Sequence, residues 1–234
     1  MQRKSCLIGI LGPTATGKSR LALRAASILN GEIVNCDSLQ LHRLLNIGTA
    51  KPSVKERQQI PHHLYDVLDP DQYFSARMYM VRAREICKEI ASRGKIPIVV
   101  GGTGLYFKVF LEGIFEGPGR SESIRNRLHE VARKKGKKYL HNLLRKKDIE
   151  TAERIKEGDL MRIIRALEIY FTTGKRISDL QAKKVPLEGF NILRIGIKLP
   201  RSILYDRINR RVAKMFDMGL VEETRNILEI GYSS

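Results

Sequence analysis

Gly12-Pro13-Thr14-Ala15-Thr16-Gly17-Lys18-Ser19 fits the spacing G-x-x-x-x-G-K-[ST]. The glycines let the backbone turn so that its N–H groups point inward at phosphate oxygens. Lys18 brings a positive charge to the terminal phosphates, and the Ser19 hydroxyl is a hard oxygen donor suited to Mg²⁺. A glycine turn that binds nothing is the bland alternative, and the flanks argue against it. An apolar run at residues 6–11 leads in. Residues 18–30 follow with Leu21, Ala25 and Ile28/Leu29 at helical spacing. Strand, loop and helix are the setting in which such a loop cradles phosphate.

Which phosphate compound is held depends on the nearby acids. A P-loop that hydrolyses nucleotides ordinarily has a carboxylate at the end of a buried strand to hold Mg²⁺. Here the best buried-type strand, at residues 96–100, ends in Gly101-Gly102-Thr103; Asp66 lies in, and Asp69 just after, a weaker strand candidate at residues 63–68. Asp37 instead closes a short strand at residues 32–36. In open parallel sheets the C-terminal strand ends face the ligand crevice, which puts Asp37 near the phosphates as a general base for an incoming nucleophile. The competing reading of Asp37 is a turn or cap aspartate. His62 and His63 have no metal-ligand context and read as structural or substrate-adjacent. Tyr106 and Phe107 suit stacking on a base, or simply the core.

The elements that must position these residues alternate between helix and strand up to Gly113, which indicates a parallel sheet with helices on both faces. Ser75 is placed to cap a helix in which Tyr79, Ala83, Ile86 and Ile90 share a face, and Gly94 stops it. After Gly117-Pro118-Gly119 only helical segments follow, at residues 121–135, 137–146, 149–155 and 160–173. The last has Ile163, Ala166, Leu167 and Tyr170 on one face and Gly174 as its stop. An apolar, β-branched run returns at residues 190–199. Pro200 and a long helix carrying Arg207, Arg210 and Arg211 follow. The expected architecture is α/β: a P-loop-type parallel sheet flanked by helices, with an inserted basic all-helical subdomain. Residues 1–116 and 188–234 form the core, and residues 117–187 the insertion.

The chain of 234 residues has a formal charge of +18. Residues 120–147 hold 11 Lys/Arg against 2 Asp/Glu, so half of that excess sits in a short stretch. Concentrated positive charge suggests a polyanionic partner. The basic run at residues 133–147 reads as phosphate contact, which positions a nucleic acid without specifying its sequence; a solvated lysine face is the alternative. No apolar run approaches the roughly 20 residues needed to span a bilayer. The first apolar run is too short for a signal-peptide core. Three scattered cysteines, Cys6, Cys36 and Cys87, point to a reducing compartment, the cytoplasm, and no Cys/His cluster has zinc spacing. These features leave open a P-loop enzyme acting on RNA, a P-loop small-molecule kinase with Asp37 as base for a hydroxyl, and a non-catalytic RNA-binding module.

Taken together the motifs resemble one family. The P-loop, Asp37-Ser38 with Gln40, Ile47-Gly48-Thr49-Ala50-Lys51-Pro52, Pro61-His62-His63-Leu64 with Asp66 and Asp69-Pro70, Gly101-Gly102-Thr103-Gly104-Leu105-Tyr106 and Arg165-Ala166-Leu167-Glu168 look like those of the tRNA dimethylallyltransferases. The resemblance implies transfer of a dimethylallyl group from dimethylallyl diphosphate to the N6 amine of the adenosine 3′-adjacent to the anticodon, with Mg²⁺ on the diphosphate. The P-loop would then hold a leaving group, which accounts for the missing strand-end acid. By the same resemblance Asp37 deprotonates the amine, Thr14 lies near the bridging oxygen, and Arg211 stabilises the diphosphate. Lys18 and Ser19 serve the phosphates and the metal. It assigns the tRNA anticodon stem-loop to Asp37, Ser38, Leu39, Gln40, Thr103, Arg125, Met161, Arg162, Ile163, Ile164 and Arg165. Arg162 and Arg165 lie at i and i+3, within reach of one backbone strand. A monomer with no membrane association is expected. The family continues with further helices past the point where this sequence stops, so its C-terminal region is expected to be absent here.

Overall fold

The computed structural model describes residues 4–181 and 184–232; the outermost residues of the segments assigned from sequence, 1–3 and 233–234, lie outside the described residues. The elements run β1 (Ser5–Leu11), α1 (Lys18–Leu29), β2 (Gly31–Asn35), α2 (Val54–Gln59), β3 (His62–His63), α3 (Ala76–Ser92), β4 (Ile96–Gly101) and α4 (Gly104–Glu112). Then come α5 (Glu122–Lys135), α6 (Lys137–Lys147), α7 (Ile149–Arg154), α8 (Leu160–Thr173), α9 (Ile177–Gln181), β5 (Phe190–Gly196), α10 (Arg201–Asp217) and α11 (Leu220–Glu229). The chain divides into two compact units, Met1–Glu112 with Pro186–Ser234, and Gly113–Val185.

The first unit is built on a parallel five-stranded sheet of order β3-β2-β4-β1-β5, with Ile8 beside both Ile98 and Leu193. The chain leaves β1 for β2, returns to insert β4 between them, and later adds β5 on the far side of β1. The strand ends that follow β1, β2 and β4 are therefore neighbours, at the place where ligands bind such sheets. Strand residues alternate between two layers. Leu7, Val34 and Val99 pack with Tyr79, Ala83, Cys87 and Ile90 of α3, while Ile8, Ile10, Ile33, Ile98 and Val100 pack with Ala22 and Ala26 of α1. Period-two burial on both faces is what a doubly covered sheet requires.

The buried face of α1 is Ala22 and Ala26, not the Leu21/Ala25/Ile28 stripe, and Ile28 is 70% exposed. Small alanines let the helix lie close to the sheet. The strand expected at residues 63–68 is only His62–His63, because Leu64 and Asp66 adopt positive φ (61° and 55°), which no strand accommodates. By contrast, Ser75 caps α3 through Met78 N–H, and Tyr79, Ala83, Ile86 and Ile90 are buried as their spacing anticipates. Tyr106 and Phe107 belong to the core. The Tyr106 ring stacks on Tyr79, and its hydroxyl donates to the Phe74 carbonyl at 3.0 Å.

The second unit is helical, around Leu128, Leu140, Leu144, Ala152, Ile163, Ile164, Ala166 and Leu167. Buried Asp148 caps α7 and ties it to α9, accepting from Thr151 N–H (3.0 Å), the Thr151 hydroxyl (2.7 Å) and Ser178 N–H (3.1 Å). Gly174, at φ 68°, ends α8.

Candidate active site

The P-loop joins β1 to α1. Ala15 and Gly17 take positive φ (61° and 92°), and a side chain at Gly12 would come within 2.5 Å of the Ile197 carbonyl oxygen, so the turn needs its glycines. The loop is braced by Thr16, whose hydroxyl donates to the Pro13 carbonyl at 2.9 Å, and by Lys18 Nζ donating to the same oxygen at 2.6 Å. No side chain caps α1, and no acid lies in its first turn, so its leading N–H groups and the positive end of its dipole face the loop. Burial lowers the Lys18 pKa from the usual lysine value, with Asp37 opposing that shift and Arg211 adding to it. All three charges therefore act on one small volume.

Asp37 follows β2 and is fixed by its neighbour. Asn35, fully buried, accepts from Asp37 N–H through Oδ1 (2.9 Å) and donates through Nδ2 to the carbonyls of Asp37 (3.0 Å) and Leu64 (2.8 Å). One carboxylate oxygen, Oδ1, accepts from Leu39 N–H at 3.0 Å. Asp37 is thus a turn aspartate. The turn uses Oδ1, and Oδ2 lies beside Gly102, 3.9 Å from where a side chain there would begin. Thr103 Oγ1 accepts from Ser38 N–H at 3.0 Å, which locks the end of β4 to the turn after β2.

Arg211 arrives from α10, 197 residues from Thr14, and its Nη1 donates to Thr14 Oγ1 at 2.9 Å. The Thr49 carbonyl receives Arg211 Nη2 at 3.4 Å and Gln40 Nε2 at 2.9 Å. One cavity is walled by Thr14, Lys18, Ser19, Asp37, Gln40, Thr49, Gly101, Gly102 and Arg211. An adjoining cleft shares Ser19, Ala50, Tyr65 and Val100 with it and adds the apolar Leu23, Ile33 and Pro52. Thr49 and Lys51 were visible in sequence only as parts of a motif; their contacts join residues far apart in the chain, which no local spacing reveals.

The other acids are already engaged. Asp66 pairs with Lys51 (2.5 Å) and Arg57, and Asp69 pairs with Arg43 (2.9 Å). His63 bonds buried Glu32 at 2.7 Å, and His62 bonds the Ile60 carbonyl. Among the described residues no three His, Cys, Asp or Glu side chains gather as a metal cage. The Ser19 hydroxyl on the cavity wall, together with the oxygens of a bound diphosphate, fits Mg²⁺, which is commonly held through substrate phosphates.

The helical unit holds the remaining expected residues. Arg125 donates to Glu168 through Nε (2.9 Å) and Nη2 (3.0 Å), and Arg165 through Nη1 (2.7 Å). Glu168 is fully buried. Burial pushes its carboxyl up, but Arg125, Arg165 and Ser121 N–H outweigh that and hold its pKa at about 2. Ile163 and Ile164 are buried in the core, so Met161 and Arg162 are the exposed members of their stretch. The Lys and Arg side chains of residues 133–147 are exposed; Arg133, Lys134 and Lys135 crowd the last turn of α5 and Arg145, Lys146 and Lys147 that of α6, where cations suit the helix dipoles, while Lys137 and Lys138 open α6.

The IPP transferase family matches residues 40–234. The tRNA dimethylallyltransferase of Koribacter versatilis is 50% identical over 95% of this chain and 73% of its own length. That of Thermotoga neapolitana is 46% identical over 98% of this chain and 74% of its own. Among solved structures, the full-length tRNA isopentenylpyrophosphate transferase of Bacillus halodurans superimposes with a TM-score of 0.66 at 38% identity, over 97% of this chain and 71% of that one. A eukaryotic dimethylallyltransferase acting on tRNA gives a TM-score of 0.78 at 29% identity, over 97% of this chain and 56% of that one.

Proposed function

This chain belongs to the IPP transferase family, and from that premise we propose that it moves a dimethylallyl group from dimethylallyl diphosphate to N6 of the adenosine 3′-adjacent to the anticodon in tRNA. The observation that carries the reading is the meeting, in one cavity, of a phosphate-binding loop, an arginine on the loop's own threonine, and a carboxylate.

An exocyclic amine is a weak nucleophile, so base and leaving-group stabilisation must share the barrier. As N6 bonds to C1 of the dimethylallyl group, the C1–O bond to diphosphate breaks, and the N6 proton passes to the Asp37 carboxylate. Charge developing on the departing diphosphate meets the P-loop N–H groups, Lys18 and Arg211, with Thr14 held by Arg211 beside the bridging oxygen. Ser19, with the diphosphate oxygens, would hold Mg²⁺, which would supply charge neutralisation to the leaving group. The adenine must leave its stack to reach Asp37. Ser38, Leu39, Gln40 and Thr103 surround the turn that would receive it. In the helical unit Arg162, Arg165 and the basic run at residues 133–147 contact RNA phosphates and Met161 lies against the RNA, while Glu168 sets the posture of Arg125 and Arg165. The protein acts as a monomer in the cytoplasm, with residues 1–116 and 188–234 as the catalytic core and 117–187 as the tRNA-contacting insertion.

The test is incubation with unmodified tRNA, dimethylallyl diphosphate and Mg²⁺, followed by nucleoside analysis. N6-dimethylallyladenosine is expected, and it should be absent when either substrate is omitted. Failure to bind a dimethylallyl diphosphate analogue, with ATP turnover in its place, would reject the reading.

A further inference from the structure

The Thr49 carbonyl is a shared acceptor for Gln40 and Arg211, so the loop that carries it sets the aim of both. That loop is not relaxed on its own account. Leu44 and Ala50 hold positive φ (67° and 49°), a conformation that L-residues keep only where the surroundings impose it. Two groups impose it. From inside, Lys51, whose side chain is 2% exposed, donates to the His42 carbonyl (2.5 Å), Asn46 Oδ1 (3.2 Å) and Asp66 Oδ1 (2.5 Å). From outside, Glu223 of α11 accepts three consecutive backbone N–H groups: Asn46 (2.8 Å) and Ile47 (2.8 Å) on Oε2, and Gly48 (3.0 Å) on Oε1. Converging N–H groups of this kind form a nest that usually receives an anion. Gly48 lets α11 approach, since a side chain there would meet Leu220 at 3.2 Å.

We propose that Glu223 is a positioning residue for this site. By gripping residues 46–48 it fixes the Thr49 carbonyl, which aims Arg211 at the diphosphate and Gln40 toward the turn that carries Asp37. Because α10 and α11 are consecutive, Arg211 and Glu223 hold the same loop from one helical pair, and the loop and the arginine move together. The role rests on the transferase reading above.

Glu223→Gln preserves size but turns one acceptor oxygen into an NH₂ group facing an N–H, so the nest loses part of its ligand. The experiment measures affinity for inorganic diphosphate with Mg²⁺ by calorimetry for the unmodified protein, Glu223→Gln, Arg211→Ala and the double variant. Glu223→Gln is expected to weaken binding about tenfold. In the Arg211→Ala background the same change should matter by less than about twofold, because the two act as a unit. A residue that only stabilises the fold would not give that non-additivity. Unchanged affinity in Glu223→Gln, or an undiminished loss added to that of Arg211→Ala, would overturn the proposal. Amide exchange at Asn46, Ile47 and Gly48 in the unmodified protein tests the grip independently of variant stability. Strong protection that rises with diphosphate is expected, and free-loop exchange rates would overturn it. Transfer by the unmodified protein is assayed in parallel. Its absence would reject the transferase reading, whereas loss of the affinity coupling would reject the role of Glu223 alone.

Discussion

Asp37 is held by hydrogen bonds to its backbone, not by a partner charge. Asn35 supplies three of the bonds that fix the turn, and Oδ2 of the carboxylate lies beside Gly102, with Asp37 in the wall of the cavity that also holds Thr14, Lys18 and Ser19. Asn35→Ala removes a buried amide and leaves the Leu64 carbonyl without its donor, so a loss of about 1–3 kcal/mol is expected in chemical denaturation. Transfer should fall as well, because the proposed base, Asp37, loses its fixed position. Arg211→Ala is expected to lower kcat about 10²–10³-fold, as loss of a donor to developing charge does elsewhere, while tRNA affinity changes little. Single-turnover kinetics with a parallel binding assay would check it. At this scale the sequence was uneven in what it disclosed. Strand-end logic alone brought Asp37 to the phosphates. Arg211 lies in a run of arginines like any basic helix; the family resemblance singled it out, and its contact with Thr14, 197 residues away, brings it to the loop.

At the level of elements, the site depends on how closely the strand ends pack. A side chain at Gly101 would fall 2.0 Å from the Cys36 carbonyl oxygen, where β4 passes the turn that carries Asp37. Gly101→Ala is therefore expected to cost about 1–3 kcal/mol and to displace that turn, measurable as a lower melting temperature together with lost transfer. In the helical unit, Glu168→Ala removes the buried carboxylate that Arg125 and Arg165 share, and about 3–5 kcal/mol of destabilisation is expected in thermal or urea unfolding. The period-two strands and the cap of α3 were legible because local chemistry determines them. The short β3 was not, since its end is set by backbone geometry at Leu64 and Asp66, with Asp66 anchored by Lys51 and Arg57. The face of α1 was misread because packing against the sheet favours small Ala22 and Ala26 over the larger leucine and isoleucine. Nothing in the sequence near Glu223 marked it, since its partners are 175 to 177 residues away.

For the whole molecule, charge and pH are the levers. A formal charge of +18, half of it within residues 120–147, is expected to make tRNA binding fall steeply and linearly in a plot of log affinity against log salt. Neutralising Lys146 and Lys147 should flatten that slope and weaken all tRNAs alike. Acid stability draws on paired and hydrogen-bonded carboxylates, Asp66 and Asp148 and, most strongly shifted, the two buried glutamates. Burial raises the Glu32 carboxyl, but Lys95, His63 and Arg93 overrule it and hold it at about 2, as the arginines do for Glu168. Both folded-state values lie below the ordinary 4.5. Their stabilisation is therefore full above that pH and is lost as pH falls toward 2. Urea midpoints should drop across that window, and Glu168→Gln should flatten the drop. The proposed transfer of the N6 proton to Asp37, with the P-loop holding the leaving diphosphate, is checked by rapid-quench transfer with Asp37→Ala, with tRNA affinity measured on the same preparation. Affinity for tRNA is expected to stay within about threefold while transfer falls by at least about 10². Transfer near that of the unmodified protein would contradict it.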